Sequence, residues 1–154
     1  MEMEQMVTEL QTLIESEGDE KSWERAGLTC KMLRHDNLKH WCGYVGLHAA
    51  HPSHGKGYDD IDVDVHGGLT YARANFPYCL PDGLWWVGFD CAHSGDCVPG
   101  INSARHGIEA FVLAMGNFAD AGGSEDRDVY RTAEWVEAET NKLADQLANF
   151  KPTP

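Results

Sequence analysis

No stretch of this chain approaches the roughly 18 consecutive apolar residues that a membrane-spanning helix needs, so nothing in it reads as a transmembrane segment. Met1 to Glu4 is acidic, with neither the positive start nor the apolar run of a secretory signal. The cysteines, Cys30, Cys42, Cys79, Cys91 and Cys97, are odd in number, widely spaced and without a CxxC pair. That pattern argues against a disulfide scaffold or a zinc finger and fits reduced, mostly buried thiols in a cytoplasm. Basic residues are scarce as well: 12 Lys and Arg stand against 25 Asp and Glu, for a net charge of −13, and the basic residues form no run. Such a chain repels a polyphosphate backbone, which argues against broad nucleic-acid binding. A small phosphorylated ligand stays compatible with it, because one metal ion reverses the local potential. HExxH, EF-hand, P-loop and dinucleotide-binding glycine patterns are all missing.

The 154 residues fit one domain, with 42% hydrophobic residues and more glycine (16) than proline (6), a composition that supports a real core. Met3, Met6, Val7, Leu10, Leu13 and Ile14 recur at helical spacing, which predicts an amphipathic helix over 2–16 ended by Gly18. Residues 20–35 suggest a short helix followed by a strand or loop. Trp41, Tyr44, Val45 and Leu47 predict a strand, and the Gly, Pro and polar residues of 51–60 a loop. Ile61, Val63 and Val65 alternate with Asp62, Asp64 and His66, the period of a strand with one polar face. Gly67-Gly68 marks a bend, and Leu69 to Ala72 begins another strand. Residues 74–83 are a connection, and Leu84 to Phe89 is the strongest strand signal, expected to be central. Trp85 and Trp86 should face opposite sides of the sheet, and Trp41 and Tyr44 have opposite parity in the same way. Beyond these lie a predicted helix over 103–118, a turn at 122–126 and a long helix from about Thr132 carrying Trp135, Val136, Leu143 and Leu147. Strands in the centre and helices at both ends predict an α+β domain, a mostly antiparallel sheet with terminal helices in two layers.

Chemistry concentrates in the middle. His48, His51, His54, His66 and His93 share that region with Asp59, Asp60, Asp62, Asp64, Asp90 and Asp96. Imidazole and carboxylate are the usual ligands of zinc, manganese or iron, and carboxylate with water suits magnesium. Asp62, Asp64 and His66 should point to one side of a strand about 6.5 to 7 Å apart, so only neighbours could share an ion. Asp90 follows the hydrophobic strand directly, with His93 and Asp96 on the turn beyond. If the two strand ends meet, His66, Asp90 and His93 converge on one divalent ion, with Asp62 or Asp64 reaching it or a second. Gly67 and Gly68 could offer amides, and Thr70 and Tyr71 hydroxyls, to a phosphate or sugar; a hairpin turn explains the glycines equally well. Solvated turns and edge strands explain most of the acidic residues taken singly. Glu134 and Glu137 form an i,i+3 pair whose simplest role is to complement the helix dipole, whereas Glu139 lies nearer the apolar stripe and suits a buried, paired role.

The central 60 or so residues, with Trp41-Cys42-Gly43-Tyr44-Val45-Gly46, Gly57-Tyr58-Asp59-Asp60, Val65-His66-Gly67-Gly68-Leu69-Thr70-Tyr71 and Trp85-Trp86-Val87-Gly88-Phe89-Asp90-Cys91-Ala92-His93, resemble small proteins encoded by bacteriophages and prophages. The resemblance implies expression inside a bacterial host and a context of countering host defence; it supplies no mechanism and no functional residue. The residues themselves favour a metal-dependent hydrolase of a small phosphorylated or nucleotide-like molecule. The ion would activate a bound water, and Asp96 or one of Asp59 and Asp60 would accept its proton. The competing expectation is a non-enzymatic protein that sequesters a small nucleotide or occupies a host protein, its two amphipathic end helices allowing a homo-oligomer. A structural or assembly accessory role is the third.

Overall fold

The computed structural model describes residues 11–36, 38–74, 83–92 and 130–150. Residues 11–17 are helical, α1, and the helix stops at Gly18 in a left-handed conformation (φ +76°). Residues 2–10 of the predicted helix, the predicted helix over 103–118 and the turn at 122–126 lie outside the described residues. The strands are β1 (Glu20–Arg25), β2 (Leu28–Arg34), β3 (Trp41–Leu47), β4 (Tyr71–Ala74) and β5 (Trp85–Asp90), and the chain closes on helix α2 (Ala133–Ala148). The strands pair antiparallel in the order β1-β2-β3-β5-β4. The protein is thus a mixed α+β domain, a central antiparallel sheet with helices near both termini.

The expectation of a helix after residue 20 is corrected. Glu20–Arg25 and Leu28–Arg34 form a β-hairpin in which Arg25 pairs with Leu28. Its two-residue turn puts Ala26 at φ +55° and Gly27 at φ +82°, the signs of a type I′ turn that matches the twist of the paired strands. An alanine is a poor turn marker, which hid the hairpin in the sequence. Alternation instead shows in β2, where Leu28, Cys30 and Met32 are buried and Thr29, Lys31 and Leu33 only partly so.

The second correction concerns Ile61–Val65. The alternation is real, with Ile61 and Val65 buried and Asp62 and Asp64 exposed, but the segment joins no sheet. It runs extended beside α2, whose side chains take the part of a neighbouring strand. Gln146 accepts from the Asp64 amide (2.7 Å) and donates to the Asp64 carbonyl (2.8 Å), and Glu139 accepts from the His66 amide (2.8 Å). Strand β1 holds the opposite flank of the helix. Lys21 pairs with Glu137, the Trp23 indole donates to Asn141 (2.7 Å), and Arg25 makes two 2.9 Å bonds to Asp145. Two strand residues rise about 6.8 Å and four helix residues about 6 Å, so the repeats stay in step over three contacts.

Between these flanks α2 lays Val136, Thr140, Leu143, Ala144 and Leu147 on β2 and β3. Gly43 permits the contact, since a Cβ there would collide with the Thr140 hydroxyl and the Phe89 ring. The core also takes Met32, Trp41, Val45, Leu47, Val87 and Phe89. Trp85 is on the α2 side, half-buried, its indole donating to the Lys56 carbonyl (2.9 Å), whereas Trp86 on the other face is 2% exposed with the Lys31 ammonium 5.6 Å from its ring. The two rings do face opposite ways.

A buried ion pair joins the ends of these elements. The Glu17 carboxylate accepts from Arg34 (3.0 Å), the Trp41 indole (3.2 Å), the Tyr130 hydroxyl (2.7 Å) and the Ala133 amide (2.6 Å). Arg34 also donates to the carbonyls of Gly18 and Lys39 and to the Tyr130 oxygen, and its guanidinium lies 4.3 Å from the Trp41 ring centre. Burial drives the Tyr130 phenol well above its ordinary range, so it stays a donor.

Removing Glu17 would leave the buried Arg34 guanidinium with the exposed Asp19 carboxylate, at 3.3 Å, in place of its buried partner and would take one of two caps from α2. Glu17→Ala is expected to lower unfolding stability by about 3 to 5 kcal/mol in denaturant titrations; a loss under about 1 kcal/mol would show the pair to be dispensable. Ala26→Asn, which relieves a left-handed alanine at a turn that favours Asn-Gly, is expected to raise stability by about 1 kcal/mol in the same assay.

Candidate functional site

The face of the sheet turned away from α2 carries the polar cluster. Strand register sets it: Cys42 lies opposite Asp90, and Tyr44 and Tyr71 lie opposite Gly88 from its two sides. Gly88 makes room, since a Cβ there would meet the Tyr44 ring and the Gly43 carbonyl oxygen, the latter at 2.6 Å. The tyrosines close over it edge to face, ring centres 5.4 Å apart. Thr70 precedes β4, its amide donating to the Gly88 carbonyl (2.9 Å), and its hydroxyl donates to Asp90 Oδ2 at 3.4 Å. Asp90 Oδ1 accepts from the Ala92 amide (3.1 Å), which fixes the carboxylate where β5 ends.

Burial dominates the electrostatics. It pushes the Cys42 thiol up to about 11; the Tyr44 hydroxyl donating toward the sulfur pulls it back a little, and the charge of Asp90 adds a little to the rise. The Tyr44 phenol is likewise raised by burial, with Cys42, Tyr71 and Asp90 adding to the shift. Both groups are therefore neutral at ordinary pH, and Asp90 brings the negative charge. The cluster thus gathers three hydroxyls, a thiol and a carboxylate at one end of three strands, with Thr70 exposed and Tyr71, Cys42 and Asp90 half-buried. The Tyr71 hydroxyl itself is enclosed and Tyr44 is buried, so Thr70 and Asp90 are the groups that a polar ligand can reach, and a carboxylate can also hold a cation.

Three of the residues singled out in the sequence, Thr70, Tyr71 and Asp90, come together here. Gly67 and Gly68, both at positive φ, form the turn leading toward β4, and the Gly68 amide is already bound to the Val65 carbonyl (2.8 Å). The other described candidates lie elsewhere. His66 stands edge-on to Trp135 of α2 at 5.0 Å, on the helix side of the sheet, whereas Asp90 has the parity of Trp86 and Gly88. Asp62 and Asp64 project to solvent beside α2, Asp64 at 3.5 Å from Lys142, and Asp59 and Asp60 sit on an exposed 3-10 turn, Tyr58–Asp60. Among the described residues no three His, Cys, Asp or Glu side chains gather to hold a metal ion. His93 and Asp96 lie outside the described residues. Glu139 is paired, as expected, but half-buried rather than buried, and Glu137 pairs with Lys21.

Cys42 and Tyr44 were not among the predicted site residues. The signal was their parity, opposite to the core-facing Trp41 and Val45, but nothing in the sequence says that β3 pairs with β5 to set them beside Asp90. An open depression of about 450 Å³ flanks α2, lined by Arg25, Asn141, Lys142, Asp145, Gln146 and others. It contains no predicted residue, and its Arg25 and Asp145 are spent on each other: the hydrogen bond from Arg25 holds the Asp145 carboxyl below its usual range.

Because the thiolate is the reactive form, alkylation of Cys42 should be slow at about pH 8 and keep accelerating toward about pH 11, as measured by mass mapping of the modified peptide. A rate that levels off below about pH 9 would contradict the burial of this thiol. Compared with known proteins, the chain matches no family model, no curated protein and no solved structure.

Proposed function

We propose that this protein binds a small phosphorylated or nucleotide-like molecule at the hydroxyl-lined end of β3, β5 and β4. One observation carries the reading: Asp90 and the adjacent Thr70 and Tyr71, with Thr70 and Asp90 lying 20 residues apart in sequence, meet on one face with Tyr44 and Cys42. Hydroxyl donors around a carboxylate suit a ligand with both acceptor oxygens and hydroxyl or amino groups, as a nucleotide has. The carboxylate would take a donor from sugar or base, and the exposed Thr70 hydroxyl would face an oxygen.

Metal-dependent hydrolysis of the same ligand is the second reading, and the placement of Asp90 favours it. A phosphoryl group beside this carboxylate, on a chain of net charge −13, is repelled unless a cation lies between. A zinc, manganese or magnesium ion held by Asp90 would neutralise that repulsion and lower the pKa of a bound water. The resemblance to phage and prophage proteins makes the context, under either reading, removal of a nucleotide signal from a bacterial host.

Calorimetric titration against a panel of mono- and dinucleotides tests the first reading. Binding is expected in the wild type and should weaken about fivefold to tenfold in Thr70→Val, the loss of one hydrogen bond. Unaltered affinity in that variant would remove the cluster from consideration. Product analysis separates the two readings: altered product that disappears on chelation and in Asp90→Asn supports hydrolysis, and recovery of intact ligand supports binding alone.

A further inference from the structure

The loop after β3 is fastened through one imidazole. His51 Nε2 lies 2.7 Å from the Leu147 carbonyl at the end of α2, and its Nδ1 accepts from the Ser53 amide at 3.0 Å. A carbonyl can only accept and an amide only donate, so the proton sits on Nε2 and Nδ1 is bare. Ser53 is 2% exposed, which leaves its amide little access to water. The turns continue from there: His54 N donates to the His51 carbonyl and Lys56 N to the Ser53 carbonyl, and the Lys56 carbonyl receives the Trp85 indole.

We propose that His51 is an acid-sensitive latch on this loop: a proton on Nδ1 sets two donors face to face and opens the turn through Ser53. The other contact survives protonation, because Nε2 remains a donor and the C-terminal end of a helix favours positive charge. Acid thus keeps the ring on α2 while freeing the stretch from Ser53 to Lys56, with its hold on Trp85. Imidazole is the side chain suited to such a change between about pH 5 and 8.

Among the described residues the groups around the ring are few. From α2 and the residues after it come the Leu147 carbonyl and the Phe150 ring, 6.0 Å away. The ionisable residues of the last turns of α2 are Lys142, beside Asp64 and Glu139, and Asp145, bound to Arg25. The loop's own are His48, His54 and Lys56, with His54 lying 6.1 Å from Trp85, the ring that β5 presents to it. The latch is independent of the ligand cluster, which lies on the other face of the sheet.

Amide-exchange protection of Ser53, read by NMR at about pH 8 and about pH 5, tests the proposal alongside the tautomer of His51 from its ring nitrogen shifts. The expected result is a proton on Nε2 alone at the higher pH and a fall of about tenfold in the Ser53 protection factor at the lower, the effect of losing one buried hydrogen bond. His51→Asn keeps an oxygen for the Ser53 amide in an Asx-turn but cannot titrate, so its protection should not change with pH. A proton on Nδ1 at about pH 8, or an equal pH response in the Asn variant, would overturn the latch.

Discussion

The Glu17 to Arg34 pair is the point on which the rest of the architecture hangs. One carboxylate from the end of α1 meets a guanidinium from β2, an indole from β3, a phenol just before α2 and the first amide of α2 itself. Burying two charges is costly, and it is tolerable only when nearly every lone pair and proton is used, as here. The return is specificity of arrangement. The start of α2 can sit in only one place, because Glu17 supplies a cap in addition to that from Thr132. Once that end is fixed, the helix axis and both its flanks follow.

Those flanks show how a single helix can organise two extended segments. On one side a charged edge strand, β1, alternates its side chains into contacts at i, i+4 and i+8 of α2. On the other, an extended segment gives up strand partners and takes a glutamine and a glutamate instead. Backbone groups beside a core must be paired, but the partner need not be a strand. That freedom lets Ile61 and Val65 enter the core while Asp62 and Asp64 stay in water. It also places His66 beside the helix, edge-on to Trp135.

The opposite face owes its chemistry to a missing side chain. Gly88 leaves a gap in β5 that Tyr44 and Tyr71 close from either side, and the two strands next to β5 thereby bring their polar residues to Asp90. Neighbouring strands are about 4.8 Å apart, so register alone decides whether such groups meet.

The sequence by itself determined the α+β class, α2 and its start, the strands β3 and β5, the alternation at 61–65 and the opposed facing of Trp85 and Trp86, because each is a local pattern of apolar period, capping and parity. It also marked Thr70, Tyr71 and Asp90 as residues worth watching. It did not reveal the first hairpin, whose turn carries an alanine in a glycine-like conformation, or the role of Gln146 and Glu139 as substitutes for a strand. Only tertiary structure decided that β3 lies between β2 and β5, that Cys42 and Tyr44 join Asp90 and that His66 packs edge-on to Trp135. The reason is physical: periodicity fixes which way a side chain points along its own element, whereas pairing between distant strands is chosen by the packing of the whole core, which no short window of residues contains.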